Sequence, residues 1–250
     1  MGVLNVTPDS FSDGGRHDTF EAAVAHGLLM VAEGADIVDV GGESSRPGAE
    51  PVPVAVELER VVAVVEALAG RVRISVDTVK PEVATAAVRA GATLVNDVSA
   101  SLWEEAAARG VGWVAMHMQG APRTMQEDPR YGDVCREVWD FLLDRARVAL
   151  AAGVGEVWVD PGIGFGKTAA HNLSLLRHLP ELVEVASEAG CAGVLVGTSR
   201  KSFLGGSGPD DRAEGSLATA AGAMVAGAGM VRVHDVAATV QATRLYGPAA

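Results

Sequence analysis

Two cysteines, Cys135 and Cys191, are all that the 250 residues contain. Neither has neighbours at metal-ligand spacing, which excludes a zinc ribbon and a disulfide scaffold. Two free, buried thiols suit a reducing cytoplasm. Aromatic residues make up only 4%, so the core must be built from aliphatic and small side chains. Positive charge is scarce. Lys and Arg number 20 against 32 Asp and Glu, a net charge of −12. That argues against general binding to nucleic acid or an acidic membrane, and an anionic substrate would need a local Lys/Arg cluster. No apolar run is long enough to span a bilayer, and no basic stretch followed by an apolar one opens the chain.

What the chain has is 48% hydrophobic residues and 30 glycines, material for one large core with many tight turns. Short β-branched runs alternate with amphipathic stretches. The strands are expected at Val3–Val6, Ile37–Val40, Arg73–Val76, Thr93–Asn96, Gly112–His117, Val157–Asp160, Val194–Gly197 and Met230–Val233. Several are almost wholly apolar, as parallel strands buried on both faces should be. Helices are expected between them, including one continuous helix over Asn172–Glu188, with glycine stops near Gly34, Gly91, Gly153 and Gly190. Eight strand–helix units in a chain of this length predict a TIM (β/α)8 barrel, with residues 1–250 as one domain and the active site at the C-terminal ends of the strands. A doubly wound open sheet is the rival.

The stretch "EVWVDPGIGFGKT", Glu156 to Thr168, ends in Gly-Lys-Thr and resembles a nucleotide-binding P-loop. That loop needs a glycine five residues before Gly166. Pro161 stands there. It has no N–H and a fixed φ, so it cannot join a nest of amide donors. A nucleotide hydrolase is disfavoured, and Lys167 reads as a solvated loop lysine.

The strand ends carry the chemistry. Asp77, Asn96 and Asp160 close three different strands. Two carboxylates and a carboxamide converging in one cavity suit a flat heterocycle with an amino group and ring N–H donors. Arg46, Lys201, Arg232 and His234 form the local positive cluster an anionic substrate requires. Arg232 and His234 lie two apart on one strand, hence on one face, and pair as phosphate-oxygen ligands. Asn5 ends the first strand, where an amide oxygen suits Mg²⁺ carried by a diphosphate. Asp39 is placed beneath the barrel mouth, as an orienting or structural group. His117 reads equally as a packed histidine or a ligand.

The segments "GVLNVTPDSFSDGG", "VDVGGESSRPGA", "SVDTVKP", "NDVSA", "MHMQGAPRTMQ", "DPGIGFGK", "GTSRKSFLG" and "VRVHDV" resemble, in order, the motifs of the dihydropteroate synthases, from residue 2 to residue 236. The resemblance implies a TIM barrel that joins 4-aminobenzoate to (7,8-dihydropterin-6-yl)methyl diphosphate with Mg²⁺ as cofactor. It implies pterin contacts from Asp77, Asn96, Val98, Met118, Asp160, Gly164, Lys201 and Arg232. It implies diphosphate contacts from Asn5, Ser45, Arg46, Arg232 and His234, with Asn5 as the metal ligand. The 4-aminobenzoate pocket would be Ser45, Arg46, Pro47, Phe165 and Lys201. Asp77, Asp160, Lys201 and Arg232 would carry the catalysis. The family's homodimer is implied as well. A pterin-binding methyltransferase domain of the same superfamily is the alternative, and it has no use for a diphosphate cluster.

Overall fold

The computed structural model describes residues 1–7, 16–44, 50–121 and 123–246. Eight strands alternate with helices: β1 (Gly2–Asn5), α1 (Arg16–Ala32), β2 (Ile37–Gly41), α2 (Val54–Leu68), β3 (Arg73–Asp77), α3 (Pro81–Ala90), β4 (Leu94–Asp97), α4 (Trp103–Arg109), β5 (Gly112–Met116), α5 (Val134–Ala151), β6 (Val157–Asp160), α6 (Ala169–Arg177), α7 (Leu179–Glu188), β7 (Gly193–Val196), α8 (Ala213–Val225), β8 (Met230–Val231) and α9 (Val236–Tyr246). All neighbours in the sheet are parallel and in chain order, β1 through β8. The ring closes between its ends. Gly2 bridges Val233 in parallel, Val3 N–H donates to Val233 O at 2.9 Å, and Val233 N–H donates to Met1 O at 3.0 Å. The expected (β/α)8 barrel is thus present, and the open-sheet rival is not.

The strands sit within a residue or two of their expected positions. The largest difference is β8, which is regular only over Met230–Val231, with Val233 joining the seam through the bridge to Gly2. The helix expected over Asn172–Glu188 is two helices that meet at His178. Pro180, in the first turn of α7, has no N–H to continue the α6 ladder, so the chain turns there. The expected glycine stops hold: Gly34, Gly91, Gly153 and Gly190 have φ of +100°, +119°, +93° and +84°. Cys135 and Cys191 are free but half-buried rather than buried.

The core is aliphatic, as the scarcity of aromatics requires. Fully buried Leu4, Ile74, Leu94, Leu142, Leu175 and Leu195 are joined by few rings, Trp113 chief among them. At the N-terminal end of the barrel, Arg73 pairs through both terminal nitrogens with Glu156 at 2.9 and 2.5 Å. Trp158 Nε1 donates to the same carboxylate at 2.7 Å. These contacts tie β3 to β6 below the site. No described helix is long and apolar enough to cross a membrane.

Candidate active site

The parallel register puts Gly41, Asp77 and Asn96 side by side on β2, β3 and β4. A Cβ at Gly41 would come into ordinary contact with Asp77 Cβ, at 3.4 Å. Asp39 lies two residues earlier on β2, one layer deeper in the barrel, and is fully buried. Arg232, just after β8 and two strands round the closed ring from β2, reaches into the lumen. Its Nε donates to Asp39 Oδ2 at 2.6 Å and its Nη2 to Asp77 Oδ2 at 2.7 Å. Asn96 Nδ2 donates to the same Asp39 oxygen at 3.0 Å. Asp39, which the sequence suggests only as an orienting or structural group, is therefore the hub that aligns Arg232 and Asn96. Its other oxygen, Oδ1, is buried and has no hydrogen-bond partner.

Burial sets the electrostatics. Asp77 is pushed up to about 7, first by desolvation, with Arg232 pulling the other way. Asp160, ending β6, is raised to about 6 by desolvation, against the pull of the Gly162 N–H, Lys201, Lys167 and Arg232. Both carboxylates thus titrate near neutrality. Arg232, between two carboxylates, is held above its usual range.

The β6 loop forms the facing wall. Asp160 Oδ1 accepts from Gly162 N–H at 2.7 Å. Gly162 and Gly166 have φ of +65° and +61°. A Cβ at Gly162 would lie 1.9 Å from His117 O, and one at Gly166 2.3 Å from Gln119 O. Glycine is required at both by conformation and by space. Lys201 Nζ stands 3.8 Å from the centre of the Phe165 ring, a cation–π contact. The Lys201 stem packs on Gly164, where a Cβ would meet Cδ at 3.1 Å. Val98 is buried, and Met118 is half-buried on the loop after β5.

Lys167 corrects the sequence reading of a solvated lysine: it is 3% exposed. Its Nζ lies 3.0 Å from His117 Nδ1, 3.0 Å from Gly162 O, 3.0 Å from Phe165 O and 3.2 Å from His117 O. An ammonium has no lone pair, so His117 Nδ1 accepts and the ring is neutral. Burial and Lys167 together lower the His117 pKa to about 3. His117 also packs edge-on to Phe141 and is a framework residue.

His234 meets Ser199 Oγ through Nδ1 at 2.9 Å, and its own N–H donates to the same oxygen at 3.2 Å. It lies beside the Arg200–Asp235 pair. Arg232, by contrast, is drawn into the lumen by Asp39 and Asp77. Asn5 ends β1 and is half-buried. Among the described residues no group of three or more His, Cys, Asp or Glu could hold a metal ion. A single neutral amide at the mouth fits Mg²⁺ that keeps its waters and arrives bound to phosphate oxygens. Ser45, Arg46 and Pro47 lie outside the described residues.

Three groupings escaped the sequence reading. Lys80 Nζ is bound by Glu43, Glu57 and Val52 O, and Thr78 Oγ1 donates to buried Glu57 at 2.6 Å. Together they lock the loop after β2 to the end of β3. Asp97 takes N–H donors from Ser99, Ser101 and Leu102 and from Trp113 Nε1, shaping the loop after β4. Asn172 Oδ1 accepts from Gly164 N–H at 2.8 Å.

An eight-stranded barrel with acidic and amide acceptors, a half-buried arginine and a glycine-walled loop at one end has the make-up of a pterin-binding enzyme. Residues 1–234 match the family model described as "Pterin binding enzyme". The dihydropteroate synthase of Escherichia coli strain K12 is 48% identical over 256 residues, covering 98% of this chain and 89% of that protein. Two solved structures of Xanthomonas albilineans dihydropteroate synthase superpose closely. The one with 4-aminobenzoic acid has a TM-score of 0.90 at 48% identity, covering 98% of this chain and 90% of that one. The one with 7,8-dihydropteroate has a TM-score of 0.86 at 46% identity, covering 98% and 91%. The chain belongs to the dihydropteroate synthase family.

Proposed function

We propose that the chain, acting as one unit, is a transferase that condenses (7,8-dihydropterin-6-yl)methyl diphosphate with 4-aminobenzoate, giving 7,8-dihydropteroate and pyrophosphate. The observation that carries this is the placement of Asp77 and Asp160, both near-neutral acceptors, at strand ends of the lumen that Arg232 enters. The two carboxylates and Asn96 accept and orient the pterin's N–H groups, while Val98, Met118 and the Lys201 stem enclose its faces. The C–O bond to diphosphate breaks, and positive charge develops on the pterin methylene beside Asp77 and Asp160, where it is stabilised. The arylamine nitrogen forms the new C–N bond and sheds its proton. Phe165 and Lys201 flank the aminobenzoate, with Ser45, Arg46 and Pro47 assigned to the same pocket.

His234 and Arg46 take phosphate oxygens. Arg232, already bound to two carboxylates, presents its remaining N–H groups to the pterin side of the diphosphate. Asn5 would hold Mg²⁺, which, when bound, neutralises the leaving group. No protein nucleophile is required. We place the protein in the cytoplasm and expect a homodimer. The deciding experiment mixes both substrates with Mg²⁺ and follows dihydropteroate and pyrophosphate release, omitting one component at a time. Product only in the complete mixture is expected. Binding of methyltetrahydrofolate without diphosphate-dependent turnover would overturn the assignment.

A further inference from the structure

We propose that Lys167 is a positioning residue for this reaction: its ammonium fixes both walls of the β6 loop at once and holds Asp160 in its ionised form. The inference rests on the reading above. Its basis is a connection that runs through a single residue. Gly162 donates its N–H to Asp160 Oδ1 at 2.7 Å and offers its carbonyl to Lys167 Nζ at 3.0 Å. The same ammonium takes Phe165 O at 3.0 Å, and so fixes the backbone of the ring that faces Lys201. It is anchored on His117, at the end of the neighbouring strand β5, at Nδ1 and at the carbonyl. An ammonium can satisfy three acceptors and here has four within reach, all inside a cage that is 3% exposed. The cage forms because Gly162 and Gly166 bring the loop against His117 and Gln119 more closely than any Cβ would allow.

An arrangement built only for packing would place an apolar side chain here, since burying a lysine carries a desolvation cost. The charge has a recipient. The titratable and charged groups acting on Asp160 are Lys167, Lys201 and Arg232, all favouring its ionised form. Burial has the largest effect on Lys167 and lowers its pKa to about 7, with Asp160 favouring its charge and Lys201 opposing it, so the ammonium is held below about pH 7, where Asp160 titrates. Neutral His117 faces Lys167 at 3.0 Å. Lys167 thus has a geometric effect on Gly162 and Phe165 and an electrostatic effect on Asp160.

The test uses Lys167→Met and, as a control, Tyr131→Phe. The latter removes the Tyr131 hydroxyl bond to Gly166 O, at 2.9 Å in the same loop, and keeps the charge. Binding of pterin-6-carboxylic acid is measured by calorimetry from about pH 5 to about pH 8, across the range in which Asp160 titrates. In the wild type, binding weakens in two steps as pH falls, through about 7 where Asp77 takes up its proton and through about 6 where Asp160 does, and the lower limb is the one Lys167 governs. Lys167→Met should move that acid limb upward by about half a pH unit or more, a roughly threefold change in the protonation constant. It should also raise the KM for 4-aminobenzoate. Tyr131→Phe should leave the limb in place. An unmoved limb in folded Lys167→Met overturns the proposal, as does an equal shift in Tyr131→Phe. If Lys167→Met does not fold, Lys167→Gln, which keeps an N–H donor without the charge, takes its place under the same two outcomes. Failure of the wild type itself to bind the pterin would instead refute the functional reading.

Discussion

Replacing Arg232 by methionine removes one cation from between two carboxylates. Asp39 is fully buried and Asp77 is 13% exposed, and both lose their partner. Breaking a buried pair from one side costs about 3–5 kcal/mol, because a charge is left uncompensated. The Arg232 side chain is 21% exposed, so solvent screening puts the loss near the lower end, about 3 kcal/mol. For a chain of this size that is a fall in Tm of roughly 6–12 °C. The pH dependence is the sharper signature. Asp77 has a folded pKa of about 7 against an ordinary 3.8, so the folded protein holds this proton more tightly than the unfolded chain does. The resulting stability is complete below the ordinary value and is lost as pH rises towards 7. Arg232 limits that loss. Without it the Asp77 pKa climbs further and the loss extends to higher pH. Calorimetric unfolding should therefore show a small deficit near pH 5, where Asp77 is protonated in both proteins, and a larger one near pH 8. A deficit under about 1 kcal/mol near pH 8, or one equal at both pH values, would refute the buried-pair reasoning.

Asp160→Asn should weaken pterin binding by about 1–3 kcal/mol while the fold persists, since a carboxamide must present a donor where two acceptors are needed; unchanged affinity by calorimetry would sink the assignment. Gly162→Ala, with its Cβ aimed at His117 O from 1.9 Å, should displace the β6 loop and cut kcat/KM by at least about tenfold, more than the Tm loss accounts for; normal kinetics would contradict the described loop. Lys80→Met should destabilise by about 3 kcal/mol by stranding Glu57, which is 1% exposed, and Glu57→Gln should recover much of that in the double variant. Equal urea midpoints for Lys80→Met and wild type would count against that network.

The barrel was legible because its strands are apolar runs punctuated by glycine stops, and each β-strand is followed by a helix long enough to show its period. The split at His178 was missed because the apolar period continues through it and only Pro180 marks the break. At the site, Asp77, Asn96 and Asp160 could be read from their position at strand ends. Asp39 could not be given its hub role, because that depends on an arginine 193 residues further along the chain. Lys167 was misread because its Gly-Lys-Thr context points outward to phosphate. What buries it is a set of carbonyls turned inward by positive-φ glycines, and carbonyl direction leaves no mark in residue type. The Lys80 network was hidden for a similar reason: a charge among charges is ordinary until the fold shows that Glu57 is inside.

The seam between β8 and β1 has a kinetic consequence. Every other strand pairs with its neighbour in the chain, so most of the sheet can form from closures of modest span. The seam joins Met1 to Val231 across 230 residues and carries a far larger search. Arg232 sits on the seam strand, and its partners Asp39 and Asp77 lie on β2 and β3. A chain with seven strands assembled and the ring still open has its carboxylates in place and no cation between them. The last closure therefore creates the barrel and its charge arrangement together, and a pterin that requires both acts as a reporter of ring closure during refolding.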